Sequence, residues 1–316
     1  MMEASMTRHI AIVGAGLVGS GWAIVFARAG RSVRVFDQSA AIRDALPEIL
    51  SGQLDDLKSH GLVEDPAAVL GKIQVCDSLA RAVDGAIYVQ ESVLERQEVK
   101  AEASHTIANH LAPDAIVGSS TSGIPGSAFT EDVPGRERFL VVHPVNPPYL
   151  VPVVELVPAP WTAPETVATA KTLMEEMGQS VVTLSREVEG FVLNRLQGAL
   201  LREAWALFDE GYATAEDIDK TVRDGLGLRW SFMGPFETID LNAPGGVADY
   251  ARRLGSLYQS IAASRPEAPP WTEDLISRVE QERRTHLGAG DLADRRGWRD
   301  RRLMEMAADR QRRTER

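Results

Sequence analysis

Four polar residues in this chain have the chemistry to take a proton from an alcohol and to hold the oxygen that loses it: Ser122, His143, Glu155 and Asn194. A free imidazole titrates near pH ~6.5, so His143 is the natural general base at neutral pH. A carboxylate such as Glu155 keeps one ring nitrogen protonated, stabilises the imidazolium that forms and leaves the other nitrogen to the substrate. Ser122 and Asn194 supply hydrogen bonds that fix a substrate oxygen. Alcohol oxidation also moves a hydride off the carbon, so the four need an acceptor beside them. Taken singly, each has a plainer reading: a strand cap for His143, an arginine partner for Glu155, a helix-terminal hydrogen bond for Asn194.

The stretch Arg8 to Asp37, RHIAIVGAGLVGSGWAIVFARAGRSVRVFD, is the element that could hold the acceptor. Ile10 to Val13 reads as a strand, Leu17 to Ala29 as a buried helix stopped by Gly30, and Val33 to Phe36 as a second strand ending in Asp37. Gly14, Gly16 and Gly19 form G-x-G-x-x-G between them, the fingerprint of a dinucleotide site. Gly14 permits the turn, Gly16 lets a pyrophosphate approach the backbone around Leu17 and Val18, and Gly19 lets helix and strand pack closely. The phosphates would meet free N–H groups at the positive end of the helix. Asp37 accepts from an adenosine ribose and repels a 2′-phosphate by about 4 kcal/mol per unit charge pair at ~4 Å and an effective dielectric of ~20. No arginine immediately follows Asp37, and the expected cofactor is NAD.

The strand ends that deliver the four polar groups follow in order. Ala40 to Lys58 predicts a helix with Ile42, Leu46, Ile49, Leu50, Leu54 and Leu57 on one side, projecting beside the sheet. Strands are expected within Val69 to Cys76, at Ala86 to Gln90, Ala115 to Gly118, Arg138 to His143, Val153 to Val157 and Val181 to Leu184. Helices are expected at Ser78 to Val83, Glu91 to Leu111 and Glu165 to Met177. Polar residues released at strand ends are where an open α/β sheet collects ligands. From Glu187 onward strand patterns vanish. Long helices are predicted at Phe191 to Glu210, at Thr214 to Asp224 with Thr214 as N-cap, around Gly246 to Ser264 and at Glu273 to Arg284. The fold class is therefore an α/β Rossmann-type N-terminal domain, a mostly parallel doubly wound sheet, followed by an all-α domain. The division expected is 1–188, binding NAD, and 189–316, for substrate and dimerisation.

Composition limits the partners. A length of 316 residues allows two domains with cores of their own. Lys plus Arg is 34 against Asp plus Glu at 45, a net charge of −11, which argues against nucleic acid or an anionic membrane as the main partner. The one cysteine, Cys76, precludes an intrachain disulfide and suits a reducing cytoplasm. MMEASMTRH lacks the apolar segment of a signal peptide, and no run reaches the ~20 apolar residues of a membrane span. Asp294 to Arg316 carries nine arginines against five acids; it reads as a solvated helix face or as a contact with an acidic surface of another subunit. No metal site is expected.

The phrases GSSTSG (118–123), HPVNPP (143–148), VELV (154–157), GFVLNRL (190–196) and MGPFE (233–237), with the amino-terminal GAGLVG, resemble the signature blocks of the L-3-hydroxyacyl-CoA dehydrogenase family from residue 8 to about 250. The resemblance implies His143 as catalytic base, Glu155 as its partner and Ser122 and Asn194 on substrate. It also implies Glu95, Lys100 and Asn146 near the cofactor, with a salt-bridged surface helix as the alternative for Glu95 and Lys100, and a homodimer formed through the helical domain. Two stretches depart from the acyl-CoA enzymes. SGQLDD (51–56) has no cation for a CoA phosphate, and Lys58 alone follows. DGLGLRWSFMGPFE (224–237) carries Arg229 and resembles the lambda-crystallin branch, to which L-gulonate 3-dehydrogenase belongs, and L-carnitine dehydrogenase. A planar guanidinium suits a free carboxylate, so Arg229 is expected to hold the substrate acid, an interdomain salt bridge being the alternative. What would pack against the substrate's tail stays open among Trp230, Phe232 and Trp271.

The activity expected is NAD-dependent oxidation of the 3-hydroxyl of a small free hydroxy acid to the 3-keto acid, L-gulonate first. A short-chain L-3-hydroxyacyl-CoA dehydrogenase and L-carnitine dehydrogenase are the enzymatic alternatives. An NAD-binding structural protein of the lens-crystallin kind is the alternative outside enzymes.

Overall fold

A computed structural model of the chain describes residues 8–265, 267 and 270–314. The leader reading of MMEASMTRH falls, for residues 1–7, outside the described residues, as does the end of the arginine-rich tail at 315–316. The chain divides into two compact units, residues 1–195 with 296–316, and residues 196–295.

The first unit is built on eight strands: β1 (His9–Val13), β2 (Val33–Phe36), β3 (Ile73–Val75), β4 (Ala86–Glu91), β5 (Ile116–Ser119), β6 (Phe139–Pro144), β7 (Val153–Pro158) and β8 (Ser180–Thr183). Their order in the sheet is β3-β2-β1-β4-β5-β6-β7-β8. Every pairing is parallel except β6 with β7, where a short connection lets the chain double back. The order of the first six strands reverses between β1 and β4, and in such sheets ligands bind at that switch point. The helices are α1 (Leu17–Arg28), α2 (Ala40–Ser59), α3 (Pro66–Leu70), α4 (Leu79–Val83), α5 (Gln97–Ala108), α6 (Ser127–Thr130) and α7 (Pro164–Glu176). Ser39, Asp65 and Ser78 cap α2, α3 and α4 by accepting an N–H three residues on, as expected of short polar side chains at helix starts.

The core lies where the apolar pattern requires. Trp22, Phe26 and Tyr88 are fully buried and in ring contact, and Leu46, Leu50, Leu54 and Leu57 bring α2 onto the same cluster. Ile42 and Ile49 do not join them and stay exposed. The helix expected at Glu91 to Leu111 is shorter: Glu91 ends β4, residues 92–96 form a loop and α5 starts at Gln97. Periodicity alone could not see that Glu91 is held in the sheet by the pairing of β4 with β1 and β5.

The second unit is helical: most of α8 (Leu193–Asp209), then α9 (Ala215–Lys220), a π-helical turn over Thr221–Leu226, α10 (Gly227–Trp230), α11 (Pro235–Leu241), α12 (Gly246–Ser264) and α13 (Glu273–His286). Thr214 caps α9 through its hydroxyl, which accepts the Asp217 N–H at 3.1 Å. Stacked Trp205 and Trp271 rings, 4.4 Å between centroids, and the Arg265 guanidinium across Glu203 and Glu210 join its helices.

The last helix, α14 (Leu292–Thr314), returns to the first unit from Arg296 onward. Met304 and Ala308 are buried in the sheet's core, with Leu303 and Ala307 packed beside them. The first unit thus takes in residues 296–316, which the expected division gave to the helical domain. The tail is neither wholly solvated nor free for another subunit on that face. Its arginines hid an apolar stripe at 303, 304, 307 and 308, the spacing of one helix face.

Candidate active site

The glycines of the first turn are where close approach demands them. Gly14 has φ +96°, and a Cβ there would strike the Ser92 carbonyl. A Cβ at Gly19 would strike the Gly14 carbonyl. At Gly16, the residue before α1, nothing lies within 4 Å of where a Cβ would stand, so the backbone there is open to a ligand. Gly14, Gly16 and Asp37 line a cavity of about 320 Å³, with Phe36, Ile42 and Val93 among its apolar walls. Exposed Ile42, off the buried stripe of α2, is accounted for by this role. The Asp37 carboxylate accepts the N–H groups of Ala15 and Ser39 at 2.8 and 2.9 Å, which fixes it at the tip of β2 facing the cleft. These residues fit an adenosine diphosphate moiety. Leu17 is 75% exposed, and Val18 packs against the core.

Beyond the turn lies a buried polar network. Lys100 is fully buried and directs its ammonium to both carboxylate oxygens of Glu91, at 3.0 and 3.3 Å, and to Glu95 at 3.3 Å. Glu95 in turn accepts the Thr121 hydroxyl at 2.7 Å and the N–H groups of Ser122 and Gly123 at 2.7 and 3.2 Å. Burial pushes the Glu95 carboxyl upward, but Thr121, the Lys100 charge and the Ser122 N–H outweigh it and hold it below the ordinary carboxylate range. Lys100 therefore reaches the site through Glu95, whose bonds clamp the loop carrying Ser122; the surface-helix alternative does not describe it. Glu91 was not singled out from sequence, although the spacing of an acid nine residues before a lysine offered a weak signal. Asn146 is exposed in the loop after β6.

His143 and Glu155 face each other across the antiparallel pair β6–β7, in direct register. The His143 Nδ1–H donates to Glu155 Oε2 at 2.8 Å, and both residues are buried. The other Glu155 oxygen accepts the N–H groups of Val192 and Leu193 at 2.9 and 3.0 Å, the unpaired donors at the start of α8. Burial alone would raise the Glu155 carboxyl; the His143 hydrogen bond and those two N–H groups reverse the effect and keep it below its ordinary value. An ionised carboxylate at Nδ1 fixes the tautomer and leaves Nε2 as an acceptor. Phe191, fully buried, lies against the imidazole with centroids 5.4 Å apart. Its φ of +52° is sterically disfavoured for a bulky residue. Phe191 falls within GFVLNRL, but neither residue type nor periodicity marks it as part of the site.

Asn194 follows on the same turn, and its Nδ2 donates to the Ser122 carbonyl at 2.6 Å. Ser122, Asn194, Glu155 and His143 thus form one connected set, from the β5 loop through the start of α8 to the β6–β7 pair. Ser122 itself is exposed. Arg229 lies in α10 of the second unit, exposed, and makes no ion pair among the described residues.

Residues 9–188 match the sequence family described as 3-hydroxyacyl-CoA dehydrogenase, NAD binding domain, and residues 190–291 match its C-terminal domain. The chain is 40% identical to the lambda-crystallin homolog of Bos taurus over 94% of each protein. It is 35% identical to the L-carnitine dehydrogenase of Streptomyces coelicolor, covering 89% of this chain and 86% of that one. Among solved structures, a 5-formyl-3-hydroxy-2-methylpyridine 4-carboxylic acid 5-dehydrogenase described as an NAD+ dependent dismutase superposes with a TM-score of 0.79 at 29% identity, covering 96% of this chain and 98% of that one.

Proposed function

Because the chain belongs to the 3-hydroxyacyl-CoA dehydrogenase family, NAD-dependent oxidoreductases acting on hydroxyl groups, we propose that it oxidises the 3-hydroxyl of a small free hydroxy acid to the 3-keto acid. The His143–Glu155 pair, buried with both carboxylate oxygens engaged, is the observation that carries this reading. NAD, when bound, supplies the hydride acceptor. Gly14, Gly16 and Asp37 would hold its adenosine diphosphate half, and by the family resemblance Glu95 and Asn146 would lie toward the other half.

His143 Nε2 takes the hydroxyl proton, and Glu155 stabilises the imidazolium that results. The Ser122 hydroxyl and the Asn194 amide orient the substrate oxygen. Asn194 also ties the Ser122 loop to the helix start that Glu155 caps, so that donors and base are positioned together. General-base action of this kind contributes about 10²- to 10⁴-fold in rate.

A free acid is favoured over a CoA thioester by two features. The exposed residues Asp55 and Asp56 of α2 offer no cation to a CoA phosphate, and Arg229 is an exposed guanidinium, without an ion pair among the described residues, suited to a carboxylate. L-gulonate heads the substrates by resemblance to the lambda-crystallin branch, with L-carnitine next. A homodimer through the helical unit is supported by its uncovered apolar side chains, Phe232, Phe236 and Leu241 each more than two-thirds exposed. A cytoplasmic location is supported by the single buried Cys76; among the described residues no helix is long and apolar enough to cross a membrane.

The test is a panel of L-gulonate, L-carnitine and other free 3-hydroxy acids against 3-hydroxybutyryl-CoA, following NADH appearance. A kcat/KM for a free acid at least tenfold above that for the thioester is expected. The reverse order would make the chain an acyl-CoA enzyme, and no turnover with any of them would favour a structural role.

A further inference from the structure

A second cavity, of about 320 Å³, opens in the first unit away from the cofactor cleft and shares no lining residue with it. Its walls come from five places in the sequence: Arg28 at the end of α1, Leu62 after α2, the loop after β6 at Tyr149 and Leu150, Gly178 after α7, and α14 from Leu303 to Gln311. Most of that surface is apolar, and Leu62, Tyr149 and Leu150 are buried. The polar side chains on it are the exposed Arg310 and Gln311 of α14 and the half-buried Arg28. The Arg28 guanidinium makes no hydrogen bond and no ion pair among the described residues, and burial holds its pKa below the ordinary arginine value.

A desolvated charge without a partner is unfavourable unless an anion meets it. Asp56 and Asp300 act on the Tyr149 hydroxyl, which burial chiefly, and then these two, push up to about 12; neither lines the cavity. A guanidinium presents paired N–H donors that match a carboxylate, and the walls at Leu62, Tyr149, Leu303 and Ala307 are apolar, with the exposed side chains of Arg310 and Gln311 as the other polar lining. The volume stands at the lower end of the ~300–1,000 Å³ typical of small-molecule sites. We propose that this cavity is a binding site for a short aliphatic monocarboxylate, its carboxylate on Arg28 and its alkyl chain against Leu62, Tyr149, Leu303 and Ala307.

The position ties the site to the chemistry. Tyr149 and Leu150 directly follow the segment His143–Pro148, and a Cβ at Gly21 of α1 would meet the Pro148 ring at 2.7 Å. Helix α1 and the loop after β6 are therefore in close contact, and an occupant between Arg28 and Tyr149 bears on both. The proposal does not depend on which hydroxy acid the enzyme oxidises, and binding is read without turnover.

The test is calorimetric titration of hexanoate into the full-length protein at saturating NAD, with hexanol and inorganic phosphate as controls. Saturable binding of hexanoate is expected, with hexanol and phosphate each at least tenfold weaker. Arg28→Gln should weaken hexanoate at least tenfold while leaving kcat for the hydroxy acid unchanged. Ala307→Leu, which narrows the cavity from the opposite wall, should do the same to binding and serves if Arg28→Gln fails to fold. Absence of saturable hexanoate binding to the wild type would overturn the proposal. So would hexanol or phosphate binding as tightly as hexanoate, or wild-type hexanoate affinity in a folded Arg28→Gln protein.

Discussion

The ends of β5, β6 and β7 and the helices of the second unit solve opposite problems. At the strand ends the polar groups answer one another: Glu155 accepts from His143, Val192 and Leu193, and Glu95 accepts from Thr121, Ser122 and Gly123. Lys100 lies between Glu91 and Glu95 with no exposure to speak of. In the second unit α8 and α12 bury none of their residues, and Phe232, Phe236, Tyr212 and Leu241 are largely exposed. A general base must be held in one tautomer and one orientation, which a satisfied, water-excluding network supplies. Exposed apolar side chains and an exposed guanidinium are suited to surfaces that are completed by a substrate or another subunit. The polar groups at the strand ends are thus held in place by one another, while the apolar side chains of the helices lie open.

Changing the network should affect turnover most. Glu155→Gln keeps the shape but places an amide N–H toward Nδ1, favouring the tautomer with hydrogen on Nε2. The expected loss in kcat is about 10²- to 10⁴-fold, with NAD affinity by fluorescence titration unchanged. A kcat within twofold of wild type would show that the pair does not set the base. Phe191→Ala removes a fully buried ring from beside His143, at an expected cost of about 3–5 kcal/mol in denaturant unfolding. A loss under about 1 kcal/mol would mean that the site is not braced from that side.

On the helical side the expected effects are smaller and fall on binding. Arg229→Ala should raise KM for a free hydroxy acid about 10- to 100-fold, the range for a lost charge-assisted hydrogen bond, with kcat nearly unchanged. An unaltered KM removes Arg229 from the substrate. The smallest effect is on acid stability. Glu155 and Glu95 have folded pKa values below the ordinary ~4.3 of a free glutamate, so their contribution is present above that pH and is lost as pH falls through the folded values. The melting temperature should therefore drop below pH ~4 more gently in Glu155→Gln than in the wild type; identical acid limbs would contradict the assignment.

Much of this was legible before any coordinates. G-x-G-x-x-G followed by Asp37 is a local pattern, and the turn, α1 and β2 lie where it places them. Ser122, His143, Glu155 and Asn194 could be named from residue type and resemblance, and the His143–Glu155 partnership with them, but not the bonds of Glu155 to the Val192 and Leu193 N–H groups or of Asn194 to the Ser122 carbonyl. The register that sets His143 opposite Glu155 depends on the length and geometry of the loop between β6 and β7, and hydrophobic alternation is silent about that. The left-handed backbone at Phe191 is imposed by tertiary packing against a residue 48 positions earlier, counted from 143 to 191. Local sequence does not separate the loop at 92–96 from the helix that follows, because its residues have no strong preference of their own. The return of α14 was masked by its arginines, which occupy the solvent side of a helix whose other face carries Met304 and Ala308.

The account rests on His143 Nε2 as the group that receives the hydroxyl proton. Steady-state NADH production by His143→Ala, with and without added imidazole, tests it most directly. We predict a fall in kcat of about 10²- to 10⁴-fold, partly restored by imidazole in a concentration-dependent way, with the KM for NAD near its wild-type value. Wild-type turnover in the variant, or a deep loss that imidazole leaves untouched while NAD affinity collapses, would contradict it.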